Sequence, residues 1–178
     1  MAEQHLVATV RACPARRVPT GDPVTIPADT FVTITQSLGG NYTVVYGGNM
    51  LRVDGTDADA LGLEKTELQF EDHGDGNIHE DQVWQALETV YDPEIPVNLR
   101  SLGLIYKMDI DQNTKTVTVD MTLTAPGCGM GPVLMGDVEY RIAQVPNVEK
   151  VNVNLVFDPP WNRDMMSEEA QLETGMFY

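Results

Sequence analysis

Apolar residues alternate with polar ones along three stretches in the second half of the chain. Residues 104–110, 117–123 and 151–157 each place apolar side chains at every second position. This period of two is typical of a β-strand with one buried face. Residues 111–114 form a turn signal between the first two stretches. The pattern therefore predicts that these two strands make a hairpin.

A helical spacing of apolar residues precedes the first of these strands. Val83, Leu87 and Val90 recur at intervals of three or four, which predicts an amphipathic helix. Asn77 is expected to open this helix in a capping box. Pro93 is expected to end it, because the residue before a proline avoids helical backbone angles.

A second helical stripe follows the second strand, and Ser167 is expected to cap a short C-terminal helix. Asp137 lies outside the stripe. The order helix–strand–strand–helix–strand predicts an α+β fold, a two-layer αββαβ domain whose helices cover one face of the sheet. The stripe consists of Val133, Leu134, Val138, Ile142 and Val145.

Short β-branched runs separated by turn signals dominate the first third of the chain. Residues 30–36, 42–46 and 50–53 each predict a strand and no helix is expected, which indicates a small all-β segment. The residues before it lack a pattern, and an acidic, glycine-containing run follows it. The predicted boundaries are 1–17 for a flexible tail, 18–62 for the β-rich domain, 63–77 for an acidic linker, 78–162 for the αββαβ domain and 163–178 for the C-terminal helix and tail.

Charge and cysteine content limit the classes of function. The 178-residue chain has a formal net charge of −16. So acidic a surface repels phosphate backbones and anionic lipids, so we expect no nucleic-acid or membrane binding and favour a basic protein partner. Two cysteines are too few for a disulfide framework. No apolar run is long enough to span a bilayer, and a cytoplasmic location is expected.

One of those cysteines lies in a loop that glycine and proline keep free of regular structure. Pro126, Gly127, Gly129 and Pro132 surround Cys128 between the second strand and the second helix. A thiol just before a helix N-terminus meets the positive end of the helix dipole, which favours the thiolate. Cys128 is therefore a candidate for metal binding or thiol chemistry.

Two further places could carry chemistry. Asp92 and Glu94 lie in a proline-stiffened loop, where a carboxylate pair can bind a hard cation or serve in acid–base catalysis. The plainer alternative is that Asp92 closes a turn and Glu94 faces solvent. Trp161, next to Pro160, can pack on the core or meet a partner protein.

Four motifs together resemble the iron–sulfur cluster assembly domain family, which includes PaaD-like proteins and eukaryotic cytosolic targeting factors. They are Asp-Pro-Glu-Ile-Pro at 92–96, Leu-Gly-Leu-Ile-Tyr at 102–106, Thr-Leu-Thr-Ala-Pro-Gly-Cys at 122–128 and Asp-Pro-Pro-Trp at 158–161. The added N-terminal segment is similar to the long bacterial form of the family. The resemblance implies a role in iron–sulfur protein maturation without an established turnover reaction. It also implies that Cys128 is the reactive cysteine and that Asp92 and Glu94 form the acidic loop.

Three mechanisms stay open. A carrier or targeting adaptor would hold iron or an iron–sulfur cluster transiently at Cys128, with no tightly bound cofactor. A homodimer or external thiols and carboxylates would complete the site, because a cluster usually takes about four ligands. Its partners would be the assembly machinery and apo client proteins.

The alternatives to a carrier use Cys128 differently. An interaction module would bind clients through Trp161 and the acidic surface, with Cys128 structural. A thiol enzyme would need a base, yet His5, His73 and His79 all precede the apolar stripe of the first predicted helix. We therefore expect that the protein is not an enzyme.

Overall fold

The computed structural model describes residues 4–18, 20–38, 41–66, 68–71, 73–92, 95, 97–124 and 131–174. The chain divides into two compact units, Met1–Leu68 and Gln69–Tyr178.

The first unit is a six-stranded antiparallel sheet with the order β1-β4-β5-β6-β2-β3. A 3₁₀ helix at Gly55–Leu61 follows the last strand, with Asp54 and Gly62 as its caps. The core includes Cys13, Ile26, Val44 and Leu51. The strands are β1 His5–Ala8, β2 Cys13–Arg17, β3 Pro23–Ile26, β4 Phe31–Leu38, β5 Asn41–Tyr46 and β6 Asn49–Val53.

Two expectations for this part of the chain are wrong. Residues 1–17 were predicted as a flexible tail, but they contain β1 and β2, which pair with β4 and with β3 and β6. Cys13 and Ala15 are both buried. The alternation covers only these two positions, and the residue between them is the apolar Pro14, so the sequence shows no recognisable period of two. The segment is also not free of helix, because Asp54 caps the 3₁₀ helix by accepting a hydrogen bond from the Thr56 N–H at 2.9 Å.

Two carboxylates of the acidic run at residues 54–59 pair with one arginine within this unit. The Arg11 guanidinium donates to Asp59 Oδ2 at 2.9 Å, to Asp59 Oδ1 at 2.8 Å and to Asp57 Oδ1 at 3.1 Å. The Arg11 contact holds the pKa of the Asp59 carboxyl below its usual range. Arg11 therefore binds Asp59 in a bidentate ion pair, the strong geometry that arginine forms with a carboxylate.

The second unit has the predicted order of elements. Its helices are α1 Glu80–Leu87, α2 Leu99–Leu102, α3 Gly131–Ile142 and α4 Glu168–Thr174, and its strands are β7 Ile105–Asp111, β8 Thr116–Met121 and β9 Lys150–Leu155. β7 and β8 form the expected antiparallel hairpin, and β9 pairs with β8 in parallel. The α+β prediction is confirmed.

The core of the second unit lies between the sheet and the helices. Val117, Val119 and Met121 on β8 are fully buried and join Leu87 of α1 and Val138 of α3 in one cluster. Burying this face provides the main stabilisation of the unit, at roughly 25 cal/mol for each Å² of apolar surface removed from water. Every member of the predicted α3 stripe is buried.

The start of α1 differs from the prediction. Asn77 does not cap the helix, which has His79 at its N-cap position and no side-chain cap bond. The Asn77 N–H instead donates to Asp75 Oδ1 at 2.9 Å, within a turn where Gly74 and Gly76 have positive φ. This local turn takes precedence over the capping box, because a carboxylate two residues earlier offers the backbone a closer partner.

The predicted acidic linker at 63–77 is attached at both of its ends. The Thr66 N–H donates to the Gly55 carbonyl at 2.8 Å in the first unit. In the second unit Gln85 Nε2 donates to the Gln69 carbonyl at 2.9 Å, and Gln82 Nε2 donates to the Glu71 carbonyl at 2.7 Å. The division between the two units falls between residues 68 and 69, within the predicted linker.

Candidate functional site

The loop that carries Cys128 is fixed at both of its ends. Thr122 and Leu123 are buried where β8 ends, and the Thr122 N–H donates to the Leu104 carbonyl at 2.9 Å. At the other end, a Cβ on Gly131 would come within 3.3 Å of Leu123 Cδ1. A side chain at residue 131 would therefore require the Leu123 side chain to shift, and glycine lets α3 begin beside the end of β8 without that shift.

The loop itself lies outside the described residues. This applies to Cys128 and to Pro126, Gly127 and Gly129, which were predicted to shape it. Pro132 is described and lies, exposed, in the first turn of α3, as its sequence position predicts. The strand-to-helix setting of Cys128 thus has both of its predicted flanking elements, and a 12-residue helix follows it.

Asp92 closes its own loop after α1. It is 4% exposed, and its Oδ1 accepts a hydrogen bond from the Ile95 N–H at 2.9 Å. The Asp92 N–H donates to the Val97 carbonyl at 3.2 Å, and a bridge between Tyr91 and Asn98 follows. One carboxylate oxygen therefore has the turn-closing role that was the plainer of the two interpretations. Glu94 lies outside the described residues.

The short helix α2 is an addition to the predicted order of elements. Its N-cap is Asn98, whose Oδ1 accepts from the Ser101 N–H at 2.9 Å, and its C-cap is Gly103 at φ +75°. An asparagine before and a glycine after a helix are the favoured pair of caps. Those two residues were the available signal, but four residues are too few for helical periodicity to show.

Two buried charges on α3 were missed by the sequence interpretation. Asp137 and Arg141 are each 1% exposed, although Asp137 was placed outside the apolar stripe. Arg141 Nη1 donates to the Thr89 carbonyl at 3.3 Å and so links α3 to the chain just after α1. Burying an ion is costly unless it is paired. The available sequence signal for the burial of these two residues was that an acid and a base lie one helical turn apart on α3.

Trp161 packs within the second unit. Its half-buried ring contacts the core cluster, and its indole N–H donates to the Leu102 carbonyl at 2.6 Å. Pro160 is exposed, and the Tyr106 hydroxyl donates to the Pro159 carbonyl at 2.7 Å. These bonds place the Asp-Pro-Pro-Trp segment against the corner where α2 leads into β7. Partner binding by Trp161 and Pro160 stays a prediction.

The histidines that a thiol enzyme would need are used locally. The rings of His73 and His79 lie 4.0 Å apart, and His79 Nε2 is 3.1 Å from Asp75 Oδ1. His5 is in β1 of the first unit. Among the described residues, no group of three or more Asp, Glu, His or Cys side chains is placed to hold a metal ion. Cys128 and Glu94 lie outside the described residues.

These features define an α+β domain with a cysteine-bearing loop between its second strand and its main helix. Residues 80–155 match the model of the family described as iron–sulfur cluster assembly protein. The chain belongs to this family.

Curated relatives support the assignment over most of their own length. A protein of Porphyromonas gingivalis named Fe-S protein maturation auxiliary factor is 50% identical over 96 residues, which are 54% of this chain and 90% of that protein. A Staphylococcus aureus protein named Fe-S protein maturation auxiliary factor SufT is 42% identical over 49% of this chain and 98% of its own length. This chain is SufT-like and has a further unit besides the matched half.

Solved structures agree on the fold. A Bacillus anthracis domain of unknown function, DUF59, has a TM-score of 0.51 at 35% identity and covers 55% of this chain and 92% of that one. A conserved hypothetical protein of Thermotoga maritima has a TM-score of 0.50 at 36% identity and covers 56% of this chain and 97% of its own. In the part of the chain that the structure describes, no helix is long and apolar enough to cross a membrane.

Proposed function

We propose that this protein is a carrier in iron–sulfur protein maturation, which holds iron or a cluster transiently at Cys128 and passes it to apo-proteins. The observation that carries the proposal is the 50% identity to an Fe-S protein maturation auxiliary factor across nearly all of that relative. Two further relatives, which this chain matches over only 25% and 20% of their length, are named iron–sulfur cluster carrier protein. The named relatives are auxiliary or carrier factors, which favours a role without turnover chemistry.

The position of Cys128 supports thiolate ligation. It lies shortly before Gly131, where the 12-residue helix α3 begins. The free N–H groups and the dipole at a helix N-terminus stabilise a nearby anion, which lowers the pKa of a thiol there. A ligand of this kind binds iron as the thiolate, the form that cluster irons require.

The second cysteine cannot complete the site while the first unit is folded. Cys13 is 0% exposed in the core of that unit, and its burial raises the pKa of the thiol to about 11. One chain therefore offers one usable thiolate against the roughly four that a cluster takes. Asp92 and Glu94, a second copy of the chain, or thiols of a donor or acceptor would supply the remainder. Such incomplete ligation suits a protein that has to release its cargo.

Anaerobic reconstitution with iron and sulfide tests the proposal. We expect bound iron and sulfide in the wild type, loss of most of both in Cys128→Ser, and wild-type content in the matched variant Cys13→Ser. Transfer to an apo-[4Fe–4S] enzyme such as apo-aconitase should fall in parallel. Equal iron and sulfide content in the wild type and Cys128→Ser would contradict the carrier mechanism.

A further inference from the structure

The face of the second sheet that points away from the helices bears an open groove of about 630 Å³, here called the Tyr106 groove. A volume of this size is typical of ligand sites. The groove lies between the start of β7, the middle of the sheet and the segment after β9. Its lining includes Ile105, Tyr106, Asp120, Val156, Asp158 and Met165.

Strand alternation places Asp120 on this face. Its neighbours Val119 and Met121 are fully buried among the helices, and successive side chains of a strand point to opposite faces of a sheet. Asp120 Oδ1 accepts a hydrogen bond from Asn154 Nδ2 on β9 at 3.0 Å. This bond fixes the carboxylate across two strands at the groove.

A second carboxylate lies close enough to affect the phenol of Tyr106. Burial and the negative charge of Asp158 raise the pKa of Tyr106, and the Thr122 hydroxyl offsets part of the increase. The phenol is held in place by its bond to the Pro159 carbonyl at 2.7 Å, with Met165 Sδ at 3.5 Å. The groove thus combines two carboxylates with an oriented aromatic ring.

This combination suits a positively charged side chain with an apolar stem. No lysine or arginine is among the described residues that line the groove. Lys107, the cross-strand partner of Asp120, instead pairs with Asp109 Oδ2 at 3.3 Å. Two carboxylates favour a cation, an aromatic face adds a cation–π attraction, and Ile105, Val156 and Met165 can cover methylene groups.

We propose that the Tyr106 groove binds a lysine or arginine side chain of a partner polypeptide. The net charge of −16 attracts basic protein surfaces over long distances, and the groove would be the site where one basic side chain binds. Its apolar walls and open shape fit a side chain presented by a peptide better than a small free cation. This site needs neither Cys128 nor bound iron, so it is independent of the carrier mechanism.

Amide shift changes in the ¹⁵N-labelled full chain test this at low salt. The probes are acetyl-Gly-Ala-Arg-Ala-Gly-amide, the same peptide with citrulline in place of arginine, and free ethylguanidinium. The test variant is Asp120→Asn with Asp158→Asn, and Asp120→Asn alone serves if the pair does not fold. The matched control is Glu139→Gln with Glu149→Gln, which removes the same charge from exposed positions outside the groove.

The arginine peptide should shift amides around residues 103–106, 120 and 156–165, with affinity at least tenfold lower in the test variant and unchanged in the control variant. Citrulline and ethylguanidinium should each bind at least tenfold more weakly than the arginine peptide. Equal binding by the citrulline peptide, or equal losses in the test and control variants, overturns a specific cation site. Equal binding by ethylguanidinium would contradict the proposal that the bound cation is a side chain of a polypeptide.

Discussion

The indole N–H of Trp161 donates a 2.6 Å hydrogen bond to the backbone carbonyl of Leu102, the last residue of α2. Three other contacts attach the same C-terminal segment to that corner. Tyr106 donates to the Pro159 carbonyl, the Ser167 N–H donates to the Ser101 carbonyl at 2.8 Å, and Met165 lies against Gly103. The segment is therefore an integral part of the fold, and Trp161 is its central anchor.

Replacing Trp161 by Phe should destabilise the second unit. The change keeps an aromatic ring but leaves the Leu102 carbonyl without its donor, and a lost buried partner costs about 1–3 kcal/mol. We expect a lower urea midpoint by fluorescence or circular dichroism. Trp84→Phe is the matched control, because the Trp84 indole N–H has only a 3.4 Å contact with Glu80 at the surface.

An unchanged midpoint in Trp161→Phe would mean that the bond to Leu102 adds nothing to stability. If that variant also lost client proteins in pull-down experiments, the sequence-based alternative of an exposed partner anchor would be supported. Retained stability together with retained clients would assign Trp161 neither role.

Gly103→Ala should be more harmful than a change at a comparable glycine in the same unit. Gly103 has φ +75°, and a Cβ there would clash with the Met165 carbonyl oxygen. The left-handed conformation alone costs roughly 1–2 kcal/mol for a residue with a side chain, and the backbone clash adds to it. Gly76→Ala has φ +72° with nothing within 4 Å, so chemical denaturation should show a clearly smaller loss. Equal losses would show that the Met165 segment moves aside freely.

Asn98 should be replaceable by Asp but not by Ala. Its Oδ1 accepts from the Ser101 N–H at 2.9 Å as the cap of α2, and removing an N-cap acceptor costs about 1 kcal/mol. Asn98→Asp retains an acceptor and should keep nearly wild-type stability in the same denaturation measurement. A stable Asn98→Ala variant would show that α2 is held by its neighbours and not by its cap.

Cys13 should resist alkylation until the first unit unfolds. It is fully buried, and burial is the main cause that raises the pKa of its thiol to about 11. Iodoacetamide at pH 8 should label Cys13 in urea but hardly at all in the native protein, as measured by mass spectrometry. Rapid native labelling would show that the first unit opens readily.

The same shift predicts a pH dependence of stability. The folded-state pKa of Cys13 exceeds its ordinary value of 9.0, so folding favours the protonated thiol. This contribution is fully present below pH 9 and is lost as the pH rises towards about 11. Cys13→Ala should lack this part of the alkaline decline, and the difference between the two proteins isolates it from tyrosine ionisation. Parallel curves for the two proteins would contradict the shift.

Elements with several periods of alternation could be predicted from the sequence. The β7–β8 hairpin, β9 and α3 each repeat their apolar spacing several times, and the structure confirms them. Elements whose signal consists of single residues could not be predicted. The helix α2, for example, is marked in the sequence only by one asparagine and one glycine. β2 was missed for the related reason that its buried positions, Cys13 and Ala15, are interrupted by Pro14.

Features of the candidate site that follow from the order of elements along the chain could be predicted. Features that bring together residues far apart in the sequence could not. Placing Cys128 between a strand and a helix needed only local patterns. The burial of Asp137 and Arg141 depends on where α1 packs, and the Tyr106 groove joins residues from 103 to 165. Such combinations arise from tertiary structure, which periodicity does not encode.

The parallel pairing of β8 with β9 places the two segments that follow these strands at the same end of the sheet. Strands that run side by side in the same direction end at one edge of the sheet, so Thr122 and the chain after Leu155 leave from the same edge. The first leads to Cys128 and the second to Asp158. If Cys128 holds iron and the Tyr106 groove holds a basic residue of the acceptor, as proposed above, both sites belong to segments that leave this end of the sheet. The acceptor would then have to present its thiols and its basic residue together.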